Sequence, residues 1–410
     1  MVRIHPPQPN MTYPKNFCIA PFLQLTTHPS GSCSPCPYLG GTTWPPSNNT
    51  ITELWNNPGL QQLRQDFKDN KRNPICDRCW HEEDNGKESL RQRMFNPETE
   101  ASKFRMFEED PGIINQRIAD DAYLSGPVIL TIKNGNICNA KCRTCHPVDS
   151  SRWHSDAKKI YEATKYQYYN FAALDNKPDT NWSDAQLDEI VDLCGHVRRL
   201  ELFGGESAYN KQVRALLTRL VDAGLSKNLT LYLNTNGGVD ITTEWPFLRE
   251  FKNIEVMVSI DGINEQFDYI RHGIEYSEML KNVRSMQRYA LKHRYDLSVR
   301  TICTVNTLNV FYLPELKQAL SKVVLKPPFL NLLVDPPHLF IKNMPDHVKQ
   351  AVAEKLGQDP YYSDIITIMQ QPADMDQWQS FLEITGVLDQ IRKEDFRSTF
   401  KEFSSIIDKV

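Results

Sequence analysis

Nowhere in these 410 residues does an apolar run approach the roughly 20 residues that a membrane-spanning helix needs. A role in crossing the bilayer is therefore not expected. The opening residues, MVRIHPPQPNMTYPKNFC, lack the apolar stretch of a secretory signal. Neither sign of charge dominates. The 47 lysines and arginines stand against 51 acidic residues, a formal net charge of −4. That balance gives no electrostatic reason to expect a nucleic-acid partner. Residues 344–410 contain no cysteine, so that end of the chain supplies no thiolate ligand. Together these absences point to a cytoplasmic protein. Thiols stay reduced in that compartment, and the ten cysteines then read as metal ligands rather than disulfides. The length suits two or three domains and a large core.

What is present is organised around residues 134–149, NGNICNAKCRTCHPVD. They place Cys138, Cys142 and Cys145 in a C-x3-C-x2-C spacing directly after the apolar run 128–132. Three thiolates on a loop leaving a strand can turn onto one metal centre. A structural zinc site wants four protein ligands, so three leave one coordination position open, where chemistry can occur. His146 is the nearest candidate fourth ligand, but beside Cys145 and before Pro147 its backbone direction points it away. The first hundred residues carry Cys18, Cys33, Cys36, Cys76 and Cys79. From spacing alone, Cys33-x2-Cys36 with Cys76-x2-Cys79 makes a reasonable zinc ribbon. Strands are expected over 19–26 and around Cys33, with helices over 51–70 and 82–94.

Residues 96–125 are charged and weakly periodic and read as a linker with a short helix. Beyond them, β-rich segments recur at 128–132, 197–203, 229–233, 254–260, 297–305 and 330–334. Helical stretches such as 212–223 and 277–293 separate them. Six strands alternating with helices predict parallel βαβ units. In barrels of that kind function gathers on the loops after the C-terminal strand ends, where the cysteine loop falls. Residues 344–410 are expected to be mostly helical.

At this point the sequence resembles the radical S-adenosylmethionine (SAM) superfamily. In that family the open iron of a three-cysteine 4Fe–4S cluster chelates the amino and carboxylate groups of SAM. The resemblance extends through Pro147-Val-Asp-Ser-Ser-Arg-Trp153. It implies an α/β fold, a partial (βα)6 TIM-like barrel over 126–343, with a linker at 101–125 and a helical extension at 344–410. Phe203-Gly204-Gly205-Glu206 looks like the family's GGE motif, which contacts the SAM amino group. Asn234 opens a polar turn after the third strand. Ser259 and Asp261 resemble the segment near the SAM ribose and carboxylate. Arg271 could pair with that carboxylate, and Arg300, a charge inside an apolar strand, needs an anionic partner. Residues 1–100 look like the twitch or SPASM-type domain, a small α+β module holding an auxiliary 4Fe–4S cluster. Position by position the pattern falls on Cys18, Cys36, Cys76 and Cys79, and Cys33 is left over.

The resemblance implies an enzyme that reductively cleaves SAM to a 5′-deoxyadenosyl radical and abstracts hydrogen from a substrate carbon. An electron donor such as flavodoxin or ferredoxin would serve it. A peptide or protein substrate, oxidised or cross-linked, is favoured. A small molecule, such as an amino sugar or nucleoside-like compound, is the alternative. A noncatalytic zinc-binding interaction protein is the rival from another class, and an inactivated relative is a further one. The aromatic insertion with Tyr161, Tyr166, Tyr168, Tyr169, Phe171 and Trp182 reads either as packing or as a substrate channel. Cys194 and Cys303 read as core residues.

Overall fold

The computed structural model describes residues 13–28, 32–36, 39, 50–84, 86, 88–95, 118, 125–170 and 182–408. The expected linker lies almost wholly outside these, as does Phe171. The chain forms two compact units. One comprises residues 1–133, 181–202 and 219–230; the other comprises 134–180, 203–218 and 231–410. No helix among the described residues is long and apolar enough to cross a membrane.

In the first unit the expected strand over 19–26 starts late. Pro21 sits at the start of a helical turn, Ala20–Leu23, where its missing N–H costs nothing. Strand β1 (Gln24–Thr27) follows and pairs antiparallel with the short β2 (Cys33–Ser34). On its other side β1 runs parallel to β3 (Ile129–Lys133), with Gln24 opposite Ile129 and Thr27 opposite Ile132. The Val128 amide donates to the Leu23 carbonyl at 2.9 Å, so the cysteine-rich N-terminus is stitched onto the first strand of the βα repeat.

The single helix expected over 51–70 is two, Ile51–Trp55 and Pro58–Lys68. Thr50 and Glu53 form a capping box on the first. Asn57 accepts the Leu60 amide ahead of Pro58 and restarts the second. Leu60, Leu63 and Phe67 then share its buried face. Likewise the helix expected over 82–94 is replaced by Asp77–Asp84 and Leu90–Phe95. Ser89 supplies the break, its hydroxyl accepting the Gln92 amide while its own amide donates to the Gln92 side chain.

The repeat itself follows the expected pattern. After β3 come β4 (Arg199–Phe203), β5 (Thr230–Thr235), β6 (Asn253–Ser259), β7 (Leu297–Val305) and β8 (Phe329–Leu332). Helices such as Lys211–Asp222, Asn264–Ile270, Tyr276–His293 and Leu313–Leu320 lie between them. In the second unit β6, β7 and β8 are parallel neighbours, with Met257 beside Arg300 and Ser259 beside Ile302. Strand alternation assigns the two faces. Ile254, Val256 and Val258 are buried on one; Glu255, Met257, Arg300 and Ile302 are half-buried on the other.

The C-terminal residues are helical, as expected, and pack within the second unit. Helices Met375–Arg392, Phe396–Thr399 and Lys401–Ile407 bring Phe381, Phe396, Phe400 and Phe403 against Tyr269, Phe311 and Tyr312. Phe403 is fully buried. Phe403→Ala is expected to lower stability by about 3–5 kcal/mol in chemical denaturation, through lost transfer energy plus a cavity. A loss under about 1 kcal/mol would mean that these helices are only loosely attached.

Candidate metal centre

The cysteine loop is held by its backbone before any side chain acts. The Asn134 amide donates to Phe203 O at 2.8 Å, the Glu206 amide to Ile137 O at 2.8 Å and the Ser151 amide to Asn136 O at 2.8 Å. Lys141 and Arg143 donate their amides to His272 O and Ile270 O, at 3.0 and 2.8 Å. Gly204 and Gly205 make the approach possible. Both have positive φ, and a Cβ on Gly205 would lie 2.4 Å from Ile137 O. A Cβ on Gly204 would lie 2.9 Å from Gly135 O. In this structure the two glycines seat the cysteine loop.

Side chains then close around the three sulfurs. Cys138 accepts the Ala140 amide at 3.4 Å and lies 3.8 Å from Asn236 Nδ2, which also donates to Asn139 Oδ1 at 2.7 Å. Arg271 Nη1 lies 3.8 Å from Cys142 Sγ. The indole N–H of Trp153 donates to Cys142 O at 2.9 Å, and the Ser150 hydroxyl to Ala140 O at 2.6 Å. His146 accepts the Val148 amide on Nδ1 and meets Tyr168 edge-on, an arrangement that commits that nitrogen to the turn. Burial raises all three thiols, Cys138 to about 12, and each would-be thiolate repels its neighbours. A group bound here has to displace three protons, so loading is favoured as pH rises.

Glu206 is buried with its carboxylate well supplied. Oε1 accepts from Thr235 Oγ1 at 2.7 Å and from the Ala208 amide at 3.1 Å, and Oε2 from the Asn236 amide at 2.7 Å. Burial raises its pKa against these hydrogen bonds, which favour the charged form. The residue therefore caps the short turn Ser207–Tyr209 and fixes the turn carrying Asn236. Asn234, which lies on β5 two residues before Asn236 rather than in the turn expected there, has a buried side-chain oxygen with no hydrogen-bond partner among the described residues. Ser259 is buried near the end of β6, and Arg300 is half-buried on the same face as Met257. Asp261 is fully buried and paired with Arg271 at 2.6 Å.

Residues from the C-terminal helices complete the support, and no local sequence signal marked them. Arg143, between two of the cysteines, is buried against Tyr269. It donates to Asp389 at 2.6 Å and to Glu394 at 2.7 Å. Arg392 binds Asp156 at 2.9 Å and lies over the Trp153 ring, and Lys141 reaches Asp156 at 2.7 Å. Within the aromatic insertion, Tyr169 is fully buried and stacked on Trp153, packing with Ile384 and Leu388. Tyr161, Tyr166 and Tyr168 are partly buried against the same cluster.

The five N-terminal cysteines divide cleanly. Cys18, Cys36, Cys76 and Cys79 line one small cavity with Phe67, Leu39 and Met94. Burial and mutual repulsion raise Cys18 well above its ordinary value and Cys76 to about 12. Cys33 stands apart, its thiol facing Leu54 O and Asn57. Among the described residues no three His, Cys, Asp or Glu side chains converge as a single metal ion requires. Four thiols around a cavity suit a multi-iron cluster, whose ligands are spread over several metal atoms.

Residues 18–80 match the SPASM family, an iron–sulfur cluster-binding domain. No curated protein matches the sequence. Similar solved structures include anSMEcpe with bound AdoMet and Kp18Cys peptide, at 19% identity and TM-score 0.38, over 51% of this chain and 52% of that one. Another is Streptococcus suis SuiB bound to S-adenosylmethionine, at 15% identity and TM-score 0.36, over 67% and 58%. SuiB bound to precursor peptide SuiA matches at 13% identity and TM-score 0.34, over 80% and 64%. In these matches the chain spans about half the length of anSMEcpe and 58–64% of SuiB. The SPASM match takes in Cys18, Cys36, Cys76 and Cys79 together. A SPASM match over residues 18–80 and a three-cysteine loop after a strand in the same sequence are the combination expected from the resemblance to radical SAM enzymes.

Two outcomes test these sites. Cys36→Ala is expected to abolish the N-terminal cluster, and Cys33→Ala to keep it, as read from iron and sulfide content; the reverse would place Cys33 in the ligand set. Gly205→Ala is expected to displace the cysteine loop and cost about four iron per chain. Undiminished iron in that variant would show that the loop tolerates the 2.4 Å approach.

Proposed function

We propose that the protein is a radical SAM enzyme with an auxiliary iron–sulfur cluster, acting on a peptide or protein. The observation that carries this reading is the three-thiol loop at Cys138, Cys142 and Cys145, following β3, with His146 committed by its Nδ1 to the turn. The donor set fits a 4Fe–4S cluster with one open iron. Cys18, Cys36, Cys76 and Cys79 fit a second, fully ligated cluster. Cys138, Cys142 and Cys145 would hold the first cluster, which would supply the electron for reductive cleavage of SAM to methionine and a 5′-deoxyadenosyl radical.

The chain's own groups bind and orient. Asn234, with its unsatisfied side-chain oxygen, is a candidate acceptor for a donor on SAM. Ser259 near the end of β6 and Arg300 on β7 would face the same ligand. Glu206, already holding three donors, acts by fixing the turn that carries Asn236, and its second oxygen is the point at which an ammonium group could be received. Substrate oxidation or cross-linking, and a flavodoxin- or ferredoxin-type electron donor, rest on the resemblance rather than on a particular residue.

Replacing Cys138, Cys142 and Cys145 together by alanine is expected to abolish 5′-deoxyadenosine formation under dithionite and to leave about four iron bound. An undiminished yield from that variant would refute the radical SAM reading. One zinc and no iron would instead make the N-terminal domain a zinc module.

A further inference from the structure

Arg271 was read from the sequence as a partner for a carboxylate on SAM, but its surroundings give it other work. Residues 270–272 lie along residues 141–143 of the cysteine loop. Ile270 O takes the Arg143 amide and His272 O takes the Lys141 amide, so the residues on both sides of Cys142 are pinned. Gly273 continues the contact, since a Cβ there would lie 3.1 Å from Asn139 O. Arg271 sits between the two pinning carbonyls, and its side chain points to the residue between the two pinned amides. Nη1 is 3.8 Å from Cys142 Sγ, and Nη2 is 2.6 Å from Asp261 Oδ2. Asp261 is anchored in turn, its Oδ1 accepting the Thr304 amide at 2.7 Å. Both side chains are buried, Asp261 fully.

We infer that Arg271 is a positioning residue of the three-cysteine centre, holding the Cys142 sulfur and setting how readily a bound cluster accepts an electron. The inference rests on the reading that these cysteines hold a 4Fe–4S cluster. Its physical basis is a fixed charge. An arginine does not lose its proton in a protein, so a positive group always stands beside this sulfur. Reduction of a cluster adds negative charge, and a buried cation with a hydrogen bond to a ligand sulfur favours the reduced form. Asp261 opposes that effect and holds the guanidinium in place. The two residues should therefore pull the potential in opposite directions, a signature that packing alone does not produce.

The test is a redox titration of the anaerobically reconstituted full chain by electron paramagnetic resonance, without substrate. The signal of this centre is the one missing from the Cys138/Cys142/Cys145 triple alanine variant. At a fixed potential, Arg271→Gln is expected to lower the ratio of reduced to oxidised centre about tenfold, or about 59 mV for a one-electron couple. Asp261→Asn removes the opposing charge and is expected to raise the ratio. Arg271→Lys should fall between wild type and Arg271→Gln. If Arg271→Gln cannot be loaded with iron, the upward shift in Asp261→Asn still supports the assignment. Unchanged potentials in both variants would overturn it, as would shifts in the same direction. An Arg271→Gln variant with unchanged potential and weakened SAM binding would return the residue to the SAM carboxylate. A wild-type protein with no signal assignable to the triad would sink the radical SAM reading itself, and the role of Arg271 with it. That failure is recognisable because it precedes any variant.

Discussion

The constraint on which the site depends is the contact of two backbones, that of the cysteine loop and that of the Gly204-Gly205 turn. Ile137 O and the Glu206 amide share a hydrogen bond, and no side chain fits between the segments. A loop with three thiols has little reason of its own to hold a shape, because the thiols repel once ionised and are small apolar groups while protonated. The backbone contact supplies the shape without using the sulfurs. Pinning at 270–272 and at Asn134 does the same on other sides, so the cysteines are presented rather than recruited.

Around that contact the protein places charges in compensated pairs. Arg143 meets Asp389 and Glu394, Arg392 and Lys141 meet Asp156, and Arg271 meets Asp261. Removing one partner from such a buried pair is costly, at about 3–5 kcal/mol, because it strands the other. The C-terminal helices thus contribute to the site through Asp389, Glu394 and Arg392 without offering a ligand. A chain end with no cysteine can still decide whether a cysteine loop keeps its form.

Local chemistry was the part legible in the sequence. The six strands of the repeat and the three-cysteine loop at the end of the first follow from spacing, periodicity and turn residues. The four N-terminal cysteines that share a cavity follow from the family resemblance, since spacing alone put Cys33 in the set and left Cys18 out. The helices over 51–70 and 82–94 were joined wrongly because local breaks were passed over. Asn57-Pro58 and Ser89 offer the backbone a cap, and a cap outranks continued apolar spacing. The pairing of β1 with β3 could not be read, since it links residues about a hundred apart through no local pattern. The same holds for Arg143 with Asp389. Asn234 was singled out in its turn, yet the side chain beside Cys138 is that of Asn236, two residues along.

The two cysteine sites differ in what surrounds them, and that difference bears on their division of labour. The N-terminal four are enclosed by Phe67, Leu39, Leu90 and Met94, with Arg78 and Arg91 at the lining. Arg91 is itself committed to Glu83 and to the carbonyls of Lys15 and Phe17. In the reading proposed above, four thiolate ligands would leave no open coordination position on a cluster at that site. The three on the strand-end loop have polar neighbours instead. Asn236 and Arg271 approach the sulfurs, and Asn234 keeps an unsatisfied oxygen on the same unit. An unsatisfied oxygen of that kind is costly to bury unless something binds it. On the proposed reading the chemistry falls to the three-thiol loop, with the Asn234 oxygen of the same unit open to a donor.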